Sequence, residues 1–199
     1  MSSPVVDYYF TTLSPWSFFG LPRLLAMTEK AGAKINYKPC NLGAVFSETG
    51  GVAFSKRSPA RLAYRMMEMK RWKARLGIEF NLEPAFFPFN DSLANKVIIA
   101  AIEQDQDPAA LCDAFHRAVW CDELNMANES VIQQVAADAG YDGAQLMEAA
   151  GAEAIDAVLT ANSNEAVERS VFGAPTYILN GENFWGQDRL DFLDERLNG

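Results

Sequence analysis

Ser14 stands directly before Pro15, at the head of the apolar stretch Trp16-Ser17-Phe18-Phe19-Gly20 and just after a run of strand formers, Val5-Val6-Asp7-Tyr8-Tyr9-Phe10. A side chain at the start of a helix meets backbone N–H groups that have no intrahelical partner, and the positive end of the helix dipole. A thiolate, carboxylate or oxyanion is favoured there. Serine is also an ordinary N-cap residue, so Ser14 alone leaves two readings open: a plain cap, or a cap that also steadies an anion. A second group is Phe172-Gly173-Ala174-Pro175-Thr176-Tyr177, an X-Pro bond where a strand begins. Proline is tolerated at a strand's first residue on structural grounds, whereas a cis bond would turn the N–H and C=O of Ala174 outward, as partners for a peptide-like ligand. A third is Trp185-Gly186-Gln187-Asp188-Arg189, a strand-to-helix corner whose Asp188 either complements the helix dipole or binds a ligand's ammonium group. The fourth is a charge run: Lys56 to Arg75 holds eight of the chain's 17 basic residues against one acid, Glu68. Such a run is a solvated helix face or a focus for a small anion. Lys56 and Arg57 precede the helix in a loop, which makes them the candidate ligand contacts.

Other chemistries are set aside by residue counts. One histidine, His116, cannot build a histidine metal cluster, and it reads as a polar residue on a mostly buried helix. Cys40, Cys112 and Cys121 show no C-x-x-C or zinc-ligand spacing, and no metal is expected. Cys112 and Cys121 fall on opposite faces of one helix at about 100° per residue, so a local disulfide is not expected. A net charge of −9 argues against nucleic acid or an anionic membrane surface as a partner. No apolar run approaches a membrane span of about 18 residues, and Met-Ser-Ser-Pro-Val-Val-Asp lacks a signal-peptide layout; a cytoplasmic location is expected.

The elements that must position these groups follow from pattern and punctuation. Across 199 residues, enough for one well-buried domain or one domain with a large insertion, the chain reads βαβ, a helical block, then ββα. The first strand is Val5–Phe10; the helix after it is capped by Ser14, opened by Pro15, bent at Pro22 and closed by Gly32; the second strand is Lys34–Cys40. Gly43–Ser55 reads as a loop. Helices follow at Ser58-Pro59 to Gly77, Asp91–Gln104, Pro108–Cys121, Glu129–Gly140, Gly143–Ala149 and Ala152–Ser170, with Asp107, Asn128 and Asp142 as candidate caps. Thr176–Leu179, Asn180-Gly181 and Glu182–Trp185 form a hairpin with a type I′ turn, and a last helix runs from Gln187 to Leu197. Sheet elements at both ends of the chain divide it into an α/β domain, 1–43 plus 171–199, and an inserted helical domain, 44–170.

Taken in order, Asp7-Tyr8-Tyr9-Phe10 with Leu13-Ser14-Pro15-Trp16-Ser17, Arg71-Trp72 with Leu76-Gly77-Ile78, Phe172-Gly173-Ala174-Pro175, and Trp185-Gly186-Gln187-Asp188-Arg189 resemble known families. These carry a thioredoxin-like fold with a large helical insertion: DsbA, the kappa-class glutathione transferases and, most specifically, the 2-hydroxychromene-2-carboxylate isomerase family. The resemblance places Ser14 and Ser17 where the redox enzymes carry the two cysteines of C-x-x-C, which removes dithiol chemistry. It implies glutathione as the cofactor. Ser14 would hydrogen-bond its thiolate, Ala174 before a cis Pro175 would pair with its cysteinyl backbone, and Gly186, Gln187 and Asp188 would hold its γ-glutamyl end. It also implies a small aromatic carboxylate substrate, held by Lys56 and Arg57 with Trp16, Phe46 and Phe87 as an aromatic wall, and a homodimer among the partners. Phe46 departs from the family, which can place a substrate-binding lysine there, and Pro84-Ala85-Phe86-Phe87-Pro88-Phe89-Asn90 is notably apolar. Three activities follow as expectations: glutathione-dependent cis–trans isomerisation of a hydroxychromene-type carboxylate in aromatic catabolism, kappa-type conjugation of another electrophile, or ligand binding without turnover.

Overall fold

A computed structural model describes residues 3–199; the N-terminal layout considered above begins on Met1 and Ser2, which lie outside the described residues. Strand β1 (Val5–Phe10), helix α1 (Pro15–Ala31) and strand β2 (Lys34–Pro39) open the chain. The two strands are parallel, in register from Val5 opposite Lys34 to Phe10 opposite Pro39. The terminal hairpin of β3 (Thr176–Leu179) and β4 (Glu182–Trp185) completes a four-stranded sheet in the order β2-β1-β3-β4, with β3 antiparallel to β1. Between these ends lie α2 (Leu42–Thr49), α3 (Pro59–Leu76), α4 (Ser92–Glu103), α5 (Ala109–Trp120), α6 (Glu129–Asp138), α7 (Gly143–Ala150) and α8 (Glu153–Glu168), and α9 (Leu190–Asn198) closes the chain.

Local chemistry explains the ends of these elements. Ser14 is extended and its hydroxyl accepts from the Ser17 N–H, Pro15 sits where no N–H is needed, and Gly32 ends α1 at φ 60°. Helix α1 continues through Pro22, which lies on its exposed side. Asn180 and Gly181 both take positive φ, 51° and 85°, as a type I′ turn requires.

Strand β1 sends alternate side chains to opposite faces, and both faces are buried. Val6, Tyr8 and Phe10 join the main core with Phe18, Phe19, Leu21 and Leu24 of α1 and the apolar faces of α4 and α5. Tyr9 joins a smaller core with Val45 of α2, Ala166 of α8, Val171 and Ile178. The sheet therefore shares one continuous core with the helical block, and α2 and α8 cover its other side.

Three local expectations need correction. The stretch Gly43–Ser55 is not a loop: Asn41 caps α2 by accepting from the Ala44 N–H, Gly50 ends it at φ 76°, and Phe54–Lys56 forms a 3-10 turn. Gly43 and its small neighbours obscured a two-turn helix that is held by burial of Val45. Asp107 is not the cap of α5; Pro108 holds that place, while the Asp107 carboxylate accepts from the Ala109 N–H. The last helix begins at Leu190, preceded by a 3-10 turn over Gln187–Arg189.

Among the described residues no helix is long and apolar enough to cross a membrane. No group of three or more His, Cys, Asp or Glu side chains among them is placed to hold a metal ion.

Candidate active site

The β1–α1 unit delivers Ser14 to the C-terminal end of β1, where the loop Thr11–Leu13 hands the chain from strand to helix. The Ser14 hydroxyl accepts from the Ser17 N–H at 3.2 Å and donates to the Ala174 carbonyl at 3.3 Å. It is thus fixed between the helix start and the segment that begins β3. The Ala174–Pro175 bond is cis, and the Pro175 carbonyl accepts from the Gly186 N–H at 2.9 Å. Three pieces of chain far apart in sequence, at 14, 174–175 and 186, are therefore linked by successive hydrogen bonds. The first turn of α1 holds no acid, so no side chain there opposes an anion at the helix dipole.

Gly186 has φ 97°, and a Cβ on it would lie 2.4 Å from a carboxylate oxygen of Asp188. Only glycine allows Asp188 to fold back over this corner. The Asp188 carboxylate stays half-exposed, 3.3 Å from the guanidinium of Arg189. Gln187 points the other way: it is buried, and Arg23 of α1 donates to both its backbone carbonyl and its side-chain oxygen. Gln187 thereby fastens the corner to α1, and its side-chain oxygen is already engaged.

Behind Ser14 lies a buried polar frame with no counterpart in the reading of the sequence. The Asp91 carboxylate, just before α4, accepts from the hydroxyls of Thr11 and Thr12, the Leu13 N–H and the Asn95 amide. Asn95 in turn accepts from the Thr12 N–H at 3.2 Å. The whole loop before Ser14 is clamped by one turn of α4. Burial pushes the Asp91 carboxyl above the usual carboxylate range, against the pull of the hydrogen bonds from Asn95, Leu13 and Thr12. On the far side His116 is fully buried, with Nδ1 2.8 Å from the Cys112 carbonyl and Nε2 3.4 Å from that of Thr11. Burial lowers it to about 4, so a neutral imidazole fills the core, as its helix position implied.

The residues expected to meet a substrate are distributed unevenly. Trp16 is half-buried on the first turn of α1, its ring 5.9 Å from Phe19, and the contacts continue from Phe19 to Phe80 (4.6 Å) and from Phe80 to Trp120 (5.1 Å). Phe87 packs 5.1 Å from Trp120 and edge-on to Phe54 at 5.0 Å, beside the turn that ends in Lys56 and Arg57. Lys56 is exposed; Arg57 is half-buried, donates from Nε to the Val52 carbonyl at 3.0 Å, and is lowered below the usual guanidinium range by burial and by Arg61. Phe46, on α2, instead lies against Gly51 just past the end of that helix, tightly enough that a Cβ on Gly51 would overlap its ring. Arg65, one helix turn beyond Arg61, occupies the centre of the Phe54–Phe87–Trp120 group. The charge run contained Arg65, but its aromatic neighbours come from positions too distant in sequence to reveal the grouping.

A family model described as a DSBA-like thioredoxin domain matches residues 5–198. The chain is 30% identical to the 2-hydroxychromene-2-carboxylate isomerase of Pseudomonas sp. (strain C18), covering 98% of this chain and 91% of that one. It is 26% identical to glutathione S-transferase kappa 1 of Caenorhabditis elegans, covering 98% and 91%. A solved structure of a 2-hydroxychromene-2-carboxylate isomerase superposes with a TM-score of 0.85 at 28% identity, covering 97% of this chain and 94% of that one.

Proposed function

The chain belongs to the DSBA-like thioredoxin domain family, and from that premise we propose that it is a glutathione-dependent cis–trans isomerase of 2-hydroxychromene-2-carboxylate or a similar aromatic carboxylate, working in the cytosol. Its relatives are enzymes named as isomerases and glutathione transferases, which supports a glutathione-related activity. The observation that carries the finer reading is the placement of the Ser14 hydroxyl at the start of α1, within hydrogen-bond reach of the Ala174 backbone.

The residues present fit a peptide thiol. Ser14 offers a hydroxyl, Ala174 a backbone edge beside a cis proline, Gly186 a corner that a Cβ would fill, and Asp188 a half-exposed carboxylate for an ammonium group. When bound, glutathione supplies the nucleophilic sulfur whose addition and later elimination lower the barrier to rotation about a double bond. Ser14 acts as a hydrogen-bond donor toward that sulfur, giving up its contact with the Ala174 carbonyl, and the N-terminus of α1 favours the negative charge. The Asp91–Asn95 clamp holds Thr11–Leu13 so that the hydroxyl keeps its aim. Lys56 and Arg57 provide positive charge for the substrate's carboxylate or oxyanion, and Trp16 and Phe87 provide apolar surface for its ring. The chain's own thiols are held in their neutral form: Cys40 and Cys112 are buried, the part-exposed Cys121 donates to the Glu79 carbonyl, and burial raises all three.

The test is an absorbance time course with 2-hydroxychromene-2-carboxylate, with and without catalytic glutathione, followed by a free-thiol assay. The proposal requires glutathione for turnover and its full return at the end. Turnover without it would refute the mechanism. Stoichiometric loss of thiol would favour kappa-type conjugation, the reading that the Caenorhabditis elegans relative supports.

A further inference from the structure

The described ion pairs engage Lys38, Arg71, Lys96, Arg169, Arg189 and Arg196. Arg65 is absent from them, although the chain carries 26 acidic residues. It is half-buried, and among the described residues no hydrogen bond is formed by its guanidinium. The guanidinium carbon instead stands 5.2 Å from the ring centre of Phe54, 5.1 Å from that of Phe87 and 5.9 Å from that of Trp120. Burial first, and then the neighbouring Arg57, lower it to about 10, which leaves it a cation at neutral pH. Cation–π contact offsets only part of the cost of drawing a charge out of water. The rings flank the half-buried guanidinium without sealing it from solvent. They also leave unused the planar fork of N–H donors, which matches a carboxylate in two parallel hydrogen bonds.

We propose that Arg65 and the rings of Phe54 and Phe87, backed by the fully buried Trp120, form a binding site for a flat aromatic carboxylate, in which Arg65 takes the carboxylate and the two part-exposed rings take the aromatic face. This deepens the function proposed above and rests on it only for the identity of the natural substrate. Arg57 adds a second positive charge beside the site, and no acid is paired with either arginine among the described residues. The site is also tied to the neighbourhood of Ser14 by two routes. Phe87 lies four residues before Asp91, whose carboxylate clamps the Ser14 loop, so their Cα atoms are at most ~15 Å apart. The ring contacts Trp120–Phe80–Phe19–Trp16 lead to the first turn of α1 by a second route. Phe46, by contrast, packs against Gly51 just past the end of α2, and Arg65 of α3 joins Lys56 and Arg57 as a cation for the substrate.

A purely structural role, with Arg65 pinning α3 to the rings, predicts different behaviour, so charge must be separated from packing. Isothermal titration of the full chain with benzoate and with its neutral isostere benzamide, both without glutathione, makes that separation. Benzoate is expected to bind the wild type, with Arg65→Gln weakening it at least tenfold, Arg65→Lys weakening it less because the charge stays while the bidentate fork is lost, and benzamide binding the wild type and Arg65→Gln alike. Equal benzoate affinity in wild type and Arg65→Gln, parallel loss of both ligands, or no benzoate binding to the wild type would overturn the proposal. Should Arg65→Gln fail to fold, wild-type crystals soaked with 4-bromobenzoate decide the matter. The bromine's anomalous peak should lie beside the Phe54 and Phe87 rings with the carboxylate on Arg65, and a peak elsewhere, or none, refutes the site. Benzoate binding needs no thiol, so the Ser14 mechanism can fail while this site stands, or the reverse.

Discussion

Replacing Ser14 by alanine separates its two roles, because each has its own magnitude. As a cap, its oxygen accepts one hydrogen bond from the Ser17 N–H at 3.2 Å; losing a side-chain N-cap costs about 1 kcal/mol, which for a chain of this length lowers Tm by about 2–4 °C. As a donor to a bound thiolate, the hydroxyl would make a charge-assisted hydrogen bond, worth about 1.5–3 kcal/mol. That corresponds to a rise of about one to two units in the pKa of the bound thiol, and to a loss of about ten- to a hundredfold in kcat/KM below that pKa. Thiolate absorbance near 240 nm, followed against pH for the glutathione complexes of wild type and Ser14→Ala, reads the first effect directly; steady-state rates read the second and a thermal melt reads the cap. If the melt drops by a few degrees while the thiol pKa and the rate stay within twofold of wild type, Ser14 is a cap and nothing more.

Further outcomes follow from the frame around the site. Asp91→Asn keeps the shape but turns an amide N–H₂ toward groups that now donate to the carboxylate; a loss of about 1–3 kcal/mol in urea unfolding is expected, with kcat falling more than glutathione affinity. Asp188→Asn should weaken glutathione binding by about fivefold at unchanged kcat, the scale of one exposed charge pair, measurable by calorimetry. His116 takes a proton at 6.5 when unfolded and only at about 4 when folded. The unfolded chain therefore binds the extra proton between these values, and stability is full above pH 6.5 and falls as pH drops toward 4. The loss approaches about 1.4 kcal/mol per pH unit and totals about 3 kcal/mol. Urea midpoints at pH 7, 5.5 and 4.5 should show this slope in wild type, and His116→Phe should reduce it.

What the sequence displayed was local. Ser14-Pro15, Gly32 and Asn180-Gly181 declare their backbone roles through neighbours one to three residues away, and the strands and α1 follow from them. The glycine-containing start of α2 concealed a helix whose stability comes from burying Val45 in a core shared with β1 and α8. The site was visible in its Ser14 and Ala174-Pro175 parts, because their motifs are contiguous. Its supporting frame was not: Thr11 and Asp91 are 80 residues apart, and no periodicity relates them. Gln187 adds a partner that the sequence did not show, since its carbonyl and side-chain oxygen accept from Arg23, 164 residues away. The Arg65 site draws rings from 54, 87 and 120, and such a meeting is set by topology alone.

The central claim, that a borrowed sulfur sits at the start of α1, is tested most directly by the crystal structure of the chain with glutathione. The account predicts the sulfur within hydrogen-bond distance of the Ser14 Oγ, with the cysteinyl backbone paired to Ala174 and the γ-glutamyl ammonium near Asp188. A tripeptide bound with its sulfur away from Ser14, or no bound tripeptide at saturating concentration, would contradict it.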